Sequence, residues 1–169
     1  MAERRRAASR GKRPPPARGS AAGLSIVIVA SRFNGTYVSR LVESALAALE
    51  RQGLSRSKVR VLRAPGAFEL PLLAREAAKR LAPDGIVALG VIIRGETPHF
   101  EFVAGETARG LMHVSLESGV PVGFGVVTAN DAAQARARTR PPLDRGAEAA
   151  TAVVETARAL AALRRDRGR

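Results

Sequence analysis

The chain carries four apolar, largely β-branched runs, and each is followed by a turn and then by a stretch of helical periodicity. The runs cover residues 24–30, 59–62, 86–93 and 120–127. Runs without regular polar alternation suit strands buried on both faces. Strands alternating with helices predict a parallel sheet covered on its two sides. The predicted helices cover 36–52, 70–81, 99–118, a short segment to about 138, and 144–163. The first carries Val38, Leu41, Val42, Ala45, Leu46 and Leu49 on one stripe, with Arg40, Glu43, Glu50 and Arg51 off it. Gly53 and Gly119 stop the first and third helices, and Pro71 fits the opening turn of the second. Asn130 is the predicted N-cap of the short helix, and Pro141-Pro142 breaks it. In the last helix, Val153, Val154, Ala157, Leu160 and Ala161 are predicted to face inward. Four strands leave edges and much helix surface uncovered, which predicts a homo-oligomer.

The 169 residues suffice for one domain with a real core. There is no Cys, hence no disulfide framework and no thiolate nucleophile. No apolar run is long enough to span a bilayer, and the basic start leads into no apolar segment of the secretory kind. These features predict a cytoplasmic protein with no membrane partner. The net charge of +13 is unevenly placed. Residues 1–22 carry net +6 and residues 164–169 net +3, which leaves net +4 for the body between them. The predicted division is therefore a disordered Arg/Pro-rich tail over 1–22 and a folded domain over 23–169. Any nucleic-acid contact is expected to be non-specific and through that tail, because the body holds no recognition motif.

In a parallel sheet all carboxyl ends share one rim, where ligands of open α/β folds bind. The four turns bring Phe33, Asn34, Phe68, Glu69, Arg94, Glu96, Thr97, His99 and Thr128 to that rim. Aromatic residues there suit a flat heterocycle, although Phe100 and Phe102 fit equally well as closures of the core. Imidazole exchanges protons near neutral pH, which makes His99 the candidate acid–base group. His113 lies mid-helix and reads as structural. The turn before residue 99 leads into a helix N-terminus, which suits an anion such as phosphate. Gly66 and Gly95 allow close backbone approach, yet neither stretch has dinucleotide or P-loop spacing. Arg138 and Arg145 are each able to clamp a phosphate. Two separated histidines make no metal site.

Two stretches carry a resemblance to a known family: Ala64-Pro65-Gly66-Ala67-Phe68-Glu69-Leu70-Pro71 and Ile93-Arg94-Gly95-Glu96-Thr97-Pro98-His99-Phe100. With Ser31-Arg32-Phe33-Asn34, Ala88-Leu89-Gly90 and Gly119-Val120-Pro121-Val122, they resemble the lumazine synthases of riboflavin biosynthesis over roughly 24–163. The resemblance implies a flavodoxin-like three-layer αβα sandwich with a four-stranded parallel sheet. It implies a transferase that joins 5-amino-6-(D-ribitylamino)uracil to 3,4-dihydroxy-2-butanone 4-phosphate, with no metal or organic cofactor. It also implies pentamers, with decamers or sixty-subunit shells as further states, active sites between subunits, and riboflavin synthase as a protein partner to test.

By the same resemblance His99 is the proton-shuttling residue. Phe33, Ala67, Phe68, Glu69, Val91, Ile92, Ile93 and Phe124 hold the ribitylaminouracil, Phe124 being supplied by the neighbouring subunit. Gly95, Glu96, Thr97 and Arg138 hold the phosphate substrate. Residues 139–146, Thr-Arg-Pro-Pro-Leu-Asp-Arg-Gly, depart from the family's Gly-, Lys- and Asn-rich segment, and Arg145 stands in the place of its Lys. Two other classes compete with the enzyme reading: a lumazine or flavin carrier that has lost catalysis, and a nucleic-acid-binding protein.

Overall fold

The computed structural model describes Ala21 and residues 23–166. Its strands are β1 (Ile26–Ser31), β2 (Val59–Ala64), β3 (Gly85–Ile93) and β4 (Val122–Ala129). Its helices are α1 (Gly35–Arg51), α2 (Leu70–Leu81), α3 (His99–Ser118), α4 (Ala132–Arg138) and α5 (Arg145–Asp166). The strands form one parallel sheet in the order β2-β1-β3-β4. Ile28 pairs with Val61 on one side and Val87 on the other, and Gly90 pairs with Val126. The chain builds outward from β1 to β2, then returns across β1 to lay down β3. The switch between β1 and β3 is where such sheets open a crevice at their carboxyl ends.

The burial pattern follows this order. Every residue of β1, and all of β3 except Ile93, is buried, as for central strands covered on both faces. The outer strands expose side chains: Arg60 and Arg63 on β2, Phe124 and Thr128 on β4. One apolar layer joins the sheet to α1 and α5 through Leu41, Leu49, Val153 and Val154. The opposite layer joins it to α2 and α3 through Leu70, Ala74, Leu111 and Val114. The result is the flavodoxin-like three-layer sandwich that the family resemblance implies.

Where α5 begins, helix packing is close. A Cβ on Gly146 would collide with the carbonyl oxygen of Leu41. Asp144 organises this junction: its Oδ1 accepts hydrogen bonds from Ser44 Oγ at 2.7 Å and from the Gly146 N–H at 3.1 Å. The end of α3 is equally local in origin, because Gly119 takes φ 66°, a conformation that favours glycine.

Three sequence expectations are corrected. The N-cap of α4 is Asp131, whose carboxylate accepts from the Gln134 N–H at 2.7 Å, and not Asn130. Asn130 stands one residue earlier, and Gln134 Oε1 accepts its N–H at 3.0 Å. Leu160 and Ala161, expected to face inward, are half-buried. The ladder also carries strands further than the apolar runs do, to Ser31, Ala64 and Ala129, while residues 24, 25, 120 and 121 stand before the strands. The tail expected over 1–22 lies outside the described residues except at Ala21. That residue is buried, and its N–H donates to the Gln52 carbonyl at 2.7 Å.

Candidate active site

Each of the first three strands delivers one wall of a cleft at the carboxyl rim. The turn after β1 is tied to the turn after β2 by backbone bonds: Arg32 N–H to Ala64 O at 2.8 Å, and Phe33 N–H to Pro65 O at 3.0 Å. Asn34 then turns the chain into α1 with φ 56° and ψ 38°, the left-handed region that Asn tolerates. Its side-chain Nδ2 donates to the Val91 carbonyl at 2.8 Å, which anchors the turn to β3. Phe33 is 71% exposed, so its apolar surface is left for a ligand or a partner and not for the core.

In the turn after β2, the Glu69 carboxylate folds back and accepts the Gly66 N–H at 2.9 Å. This bond orients the carboxylate and closes Gly66-Ala67-Phe68 over the sheet. A Cβ on Gly66 would lie 3.0 Å from Glu69 Oε2, so a side chain at this position would displace the carboxylate. Phe68 is exposed while Ala67 is buried beneath it.

At the end of β3, Val91 and Ile92 are buried and Ile93 is half-buried, forming an apolar floor. Arg94 follows, its N–H donating to Ala129 O at 2.8 Å, one rung beyond β3. Gly95, Glu96 and Thr97 form an exposed turn that leads into α3, whose first residue is His99. Unpaired N–H groups at this helix start favour an anion. Nothing stands within 4 Å of a Cβ built on Gly95, so its own chain does not crowd it.

These walls enclose a cleft of about 560 Å³ lined by Phe33, Gly66, Ala67, Phe68, Glu69, Val91, Ile92, Ile93, Gly95, Thr97, His99, Phe100, Phe102 and Val103. Its size suits a small-molecule ligand. An apolar floor, an aromatic wall, a carboxylate and an imidazole thus meet in one place. This arrangement can stack a planar ring, accept hydrogen bonds from hydroxyls, hold an anion at the helix start and exchange a proton.

Three of the residues to which the resemblance gives a role lie outside this lining, as do Asn34, Arg94, Thr128 and Arg145. Glu96 is exposed and does not line the cleft. Phe124 projects from β4, half exposed, and Arg138 lies on α4 with its Nη1 donating to the Gln134 carbonyl at 3.5 Å. Both belong to the β4–α4 edge of the sheet. Conversely, Phe102 and Val103 line the cleft although neither has an expected ligand contact from the sequence. The signal was present: they stand three and four residues after His99, on the same helical face. Phe102 is 68% exposed and closes no core, whereas Phe100 packs in part against the layer beneath α2 and α3.

Arg94 is the most connected side chain of the rim. Its guanidinium donates from Nε to Asn130 Oδ1 at 3.0 Å and from Nη1 to the Glu101 carboxylate, and its Cζ lies 4.4 Å from the centroid of the Phe100 ring. The hydrogen bond from Arg94 holds the Glu101 carboxyl below its ordinary range, with a further contribution from a backbone N–H. No group of three or more metal-ligating side chains occurs among the described residues.

The family described as 6,7-dimethyl-8-ribityllumazine synthase matches residues 23–161. A protein of that name from Nitratidesulfovibrio vulgaris (strain DSM 19637 / Miyazaki F) is 51% identical over 142 residues, covering 83% of this chain and 90% of the relative. The protein of the same name from Nitratidesulfovibrio vulgaris (strain DP4) is 48% identical over 141 residues, again covering 83% and 90%.

Proposed function

The chain belongs to the 6,7-dimethyl-8-ribityllumazine synthase family, and from that premise we propose how the residues of its cleft carry out the family's condensation. The reaction is the penultimate step of riboflavin biosynthesis. It joins 5-amino-6-(D-ribitylamino)uracil to 3,4-dihydroxy-2-butanone 4-phosphate and releases phosphate and water. The observation that carries the assignment of roles is the convergence of Phe33, Glu69, His99 and the Gly95–Thr97 turn on one cleft.

The pyrimidine stacks on Phe33 above the floor of Val91, Ile92 and Ile93. Its ribityl chain runs along Ala67 and Phe68, and Glu69 accepts from its hydroxyls while the Gly66 N–H keeps the carboxylate in place. The phosphate of the second substrate sits at the start of α3 in the turn of Gly95, Glu96 and Thr97. Schiff-base formation, loss of phosphate and ring closure are proton transfers coupled to departure of an anion. His99 stands between the pyrimidine wall and the phosphate turn, where one imidazole serves both. Fixing two reactants in contact removes much of the entropic part of the barrier, so orientation carries a large share of the acceleration.

Phe124 and Arg138 complete the site of a neighbouring subunit. Their position on the β4–α4 edge, outside the cleft of their own chain, supports this reading. The assembly proposed is a homopentamer with small-molecule substrates, and the location proposed is the cytoplasm. No helix among the described residues is long and apolar enough to cross a membrane.

The test is a mixing assay with both substrates, following the lumazine by absorbance and fluorescence beside the uncatalysed condensation. Product formed well above background, slowed in His99→Ala and with weakened use of the phosphate substrate in Arg138→Ala, is the expected result. Background-level formation by folded, assembled protein would overturn the assignment.

A further inference from the structure

Resting on the roles assigned above, we infer that Arg94 is a positioning residue. It locks the turn that receives the phosphate, and His99 behind it, to the β4–α4 turn from which Arg138 is presented. Three partners on two segments converge on this one side chain. Glu101 and Phe100 belong to the first turn of α3, the same turn as His99. Asn130 belongs to the β4–α4 turn. The backbone of Arg94 adds a fourth tie through Ala129 O at 2.8 Å.

The connection continues into α4. The N–H of Asn130 is held by Gln134 Oε1 at 3.0 Å, and the Gln134 N–H is held by the Asp131 carboxylate at 2.7 Å. Arg138 lies one helical turn beyond Gln134 and donates to its carbonyl at 3.5 Å. A path of named hydrogen bonds thus runs from the phosphate turn to the arginine of the opposite edge. The planar fork of Arg94 makes it possible, because a guanidinium donates in several fixed directions and stacks on a ring at once, whereas an ammonium is a single point charge.

The consequence lies in geometry and not in stability. The Arg94 and Glu101 side chains are 44% and 52% exposed, and exposed ion pairs add little to folding free energy. A displacement of an ångström in a positioned reactant, by contrast, costs up to about a hundredfold in rate. In the pentamer the same residue links the site that its own chain builds to the site that its β4–α4 edge completes.

Steady-state kinetics of Arg94→Met, Arg94→Lys and the Asn130→Ala/Glu101→Ala double variant test this, with inhibition by inorganic phosphate, thermal midpoint and oligomer mass measured alongside. Arg94→Met is expected to raise KM for the phosphate substrate and weaken inhibition by inorganic phosphate by about fivefold or more, while KM for the pyrimidine changes less than about twofold. Arg94→Lys is expected to recover only a minor part of the loss. The double variant, which keeps Arg94 and removes both of its side-chain hydrogen-bond partners, is expected to show the same selective defect, and it serves if Arg94→Met does not fold. Unchanged kinetics in an assembled Arg94→Met or double variant would overturn the inference, as would equal losses for both substrates. A wild type without product above background overturns the functional reading itself, and this proposal with it.

Discussion

Asn34 donates its side-chain amide to the carbonyl of Val91, 2.8 Å away, from a backbone held at φ 56°. One residue thereby fixes two walls of the cleft, the turn bearing Phe33 and the strand end bearing Val91 to Ile93. Its two contributions can be separated by substitution. Asn34→Gly keeps the left-handed turn and loses the bond, for a cost of about 1 kcal/mol. Asn34→Ala loses the bond and adds left-handed strain, for about 2–3 kcal/mol in all. Chemical denaturation reads both. Equal losses in the two variants would show that the backbone conformation contributes nothing.

His99→Ala is expected to lower kcat by about 100-fold, the low end of what general acid–base catalysis contributes. The loss stays moderate because the bound reactants remain oriented by Phe33, Glu69 and the phosphate turn, which the substitution does not touch. Single-turnover measurement beside the uncatalysed reaction checks it, and a rate indistinguishable from that of the parent protein would remove His99 from the proton path.

Thr107 is fully buried in α3, and its Oγ1 has no hydrogen-bond partner among the described residues. A buried hydroxyl without a partner costs free energy that a methyl group of the same shape does not. Thr107→Val is therefore expected to be neutral or to stabilise by up to about 1 kcal/mol. A clear loss of stability in denaturant melts would show that the hydroxyl meets a partner in the assembled protein.

Gly146 marks a close approach of α5 to α1, with the Leu41 carbonyl and Ser44 Oγ standing where a side chain would begin. Gly146→Ala is expected to cost about 1–3 kcal/mol, because a backbone carbonyl cannot yield as a flexible side chain does. The thermal midpoint reports it. A midpoint equal to that of the parent would mean that α5 shifts freely at its start.

The Glu101 carboxyl titrates below its ordinary range because Arg94 donates to it. A lowered folded-state pKa gives stability that is present above the unfolded carboxylate value and is lost as pH falls through the folded value. Arg94→Met should move the Glu101 titration upward in a side-chain NMR experiment. It should also remove this acid-side contribution, with no change on the alkaline side. An unmoved titration would mean that the backbone N–H alone holds the shift.

Much of this was legible in the chain itself. Helices 70–81 and 99–118 have the ends read from sequence, because Pro71 and Gly119 act on their own backbone whatever surrounds them. The stripe from Val38 to Leu49 is buried as its 3.6-residue period requires. The shared rim of the first three turns follows from parallel strands alone. Other features needed the tertiary structure. Thr97 lines the cleft while Glu96 beside it does not, and Phe102 faces a ligand space and not a core. Asp131 caps α4 in place of Asn130, which stands beside the Arg94 guanidinium. Strand ends at Ser31, Ala64 and Ala129 depend on hydrogen bonds across the ladder, as with Arg94 N–H to Ala129 O. The division has one physical reason. Periodicity and punctuation are properties of neighbouring residues, so the sequence by itself determines them. Side-chain direction at a turn, cap choice and strand length are set by partners many residues away, and those partners exist only once the sheet has formed.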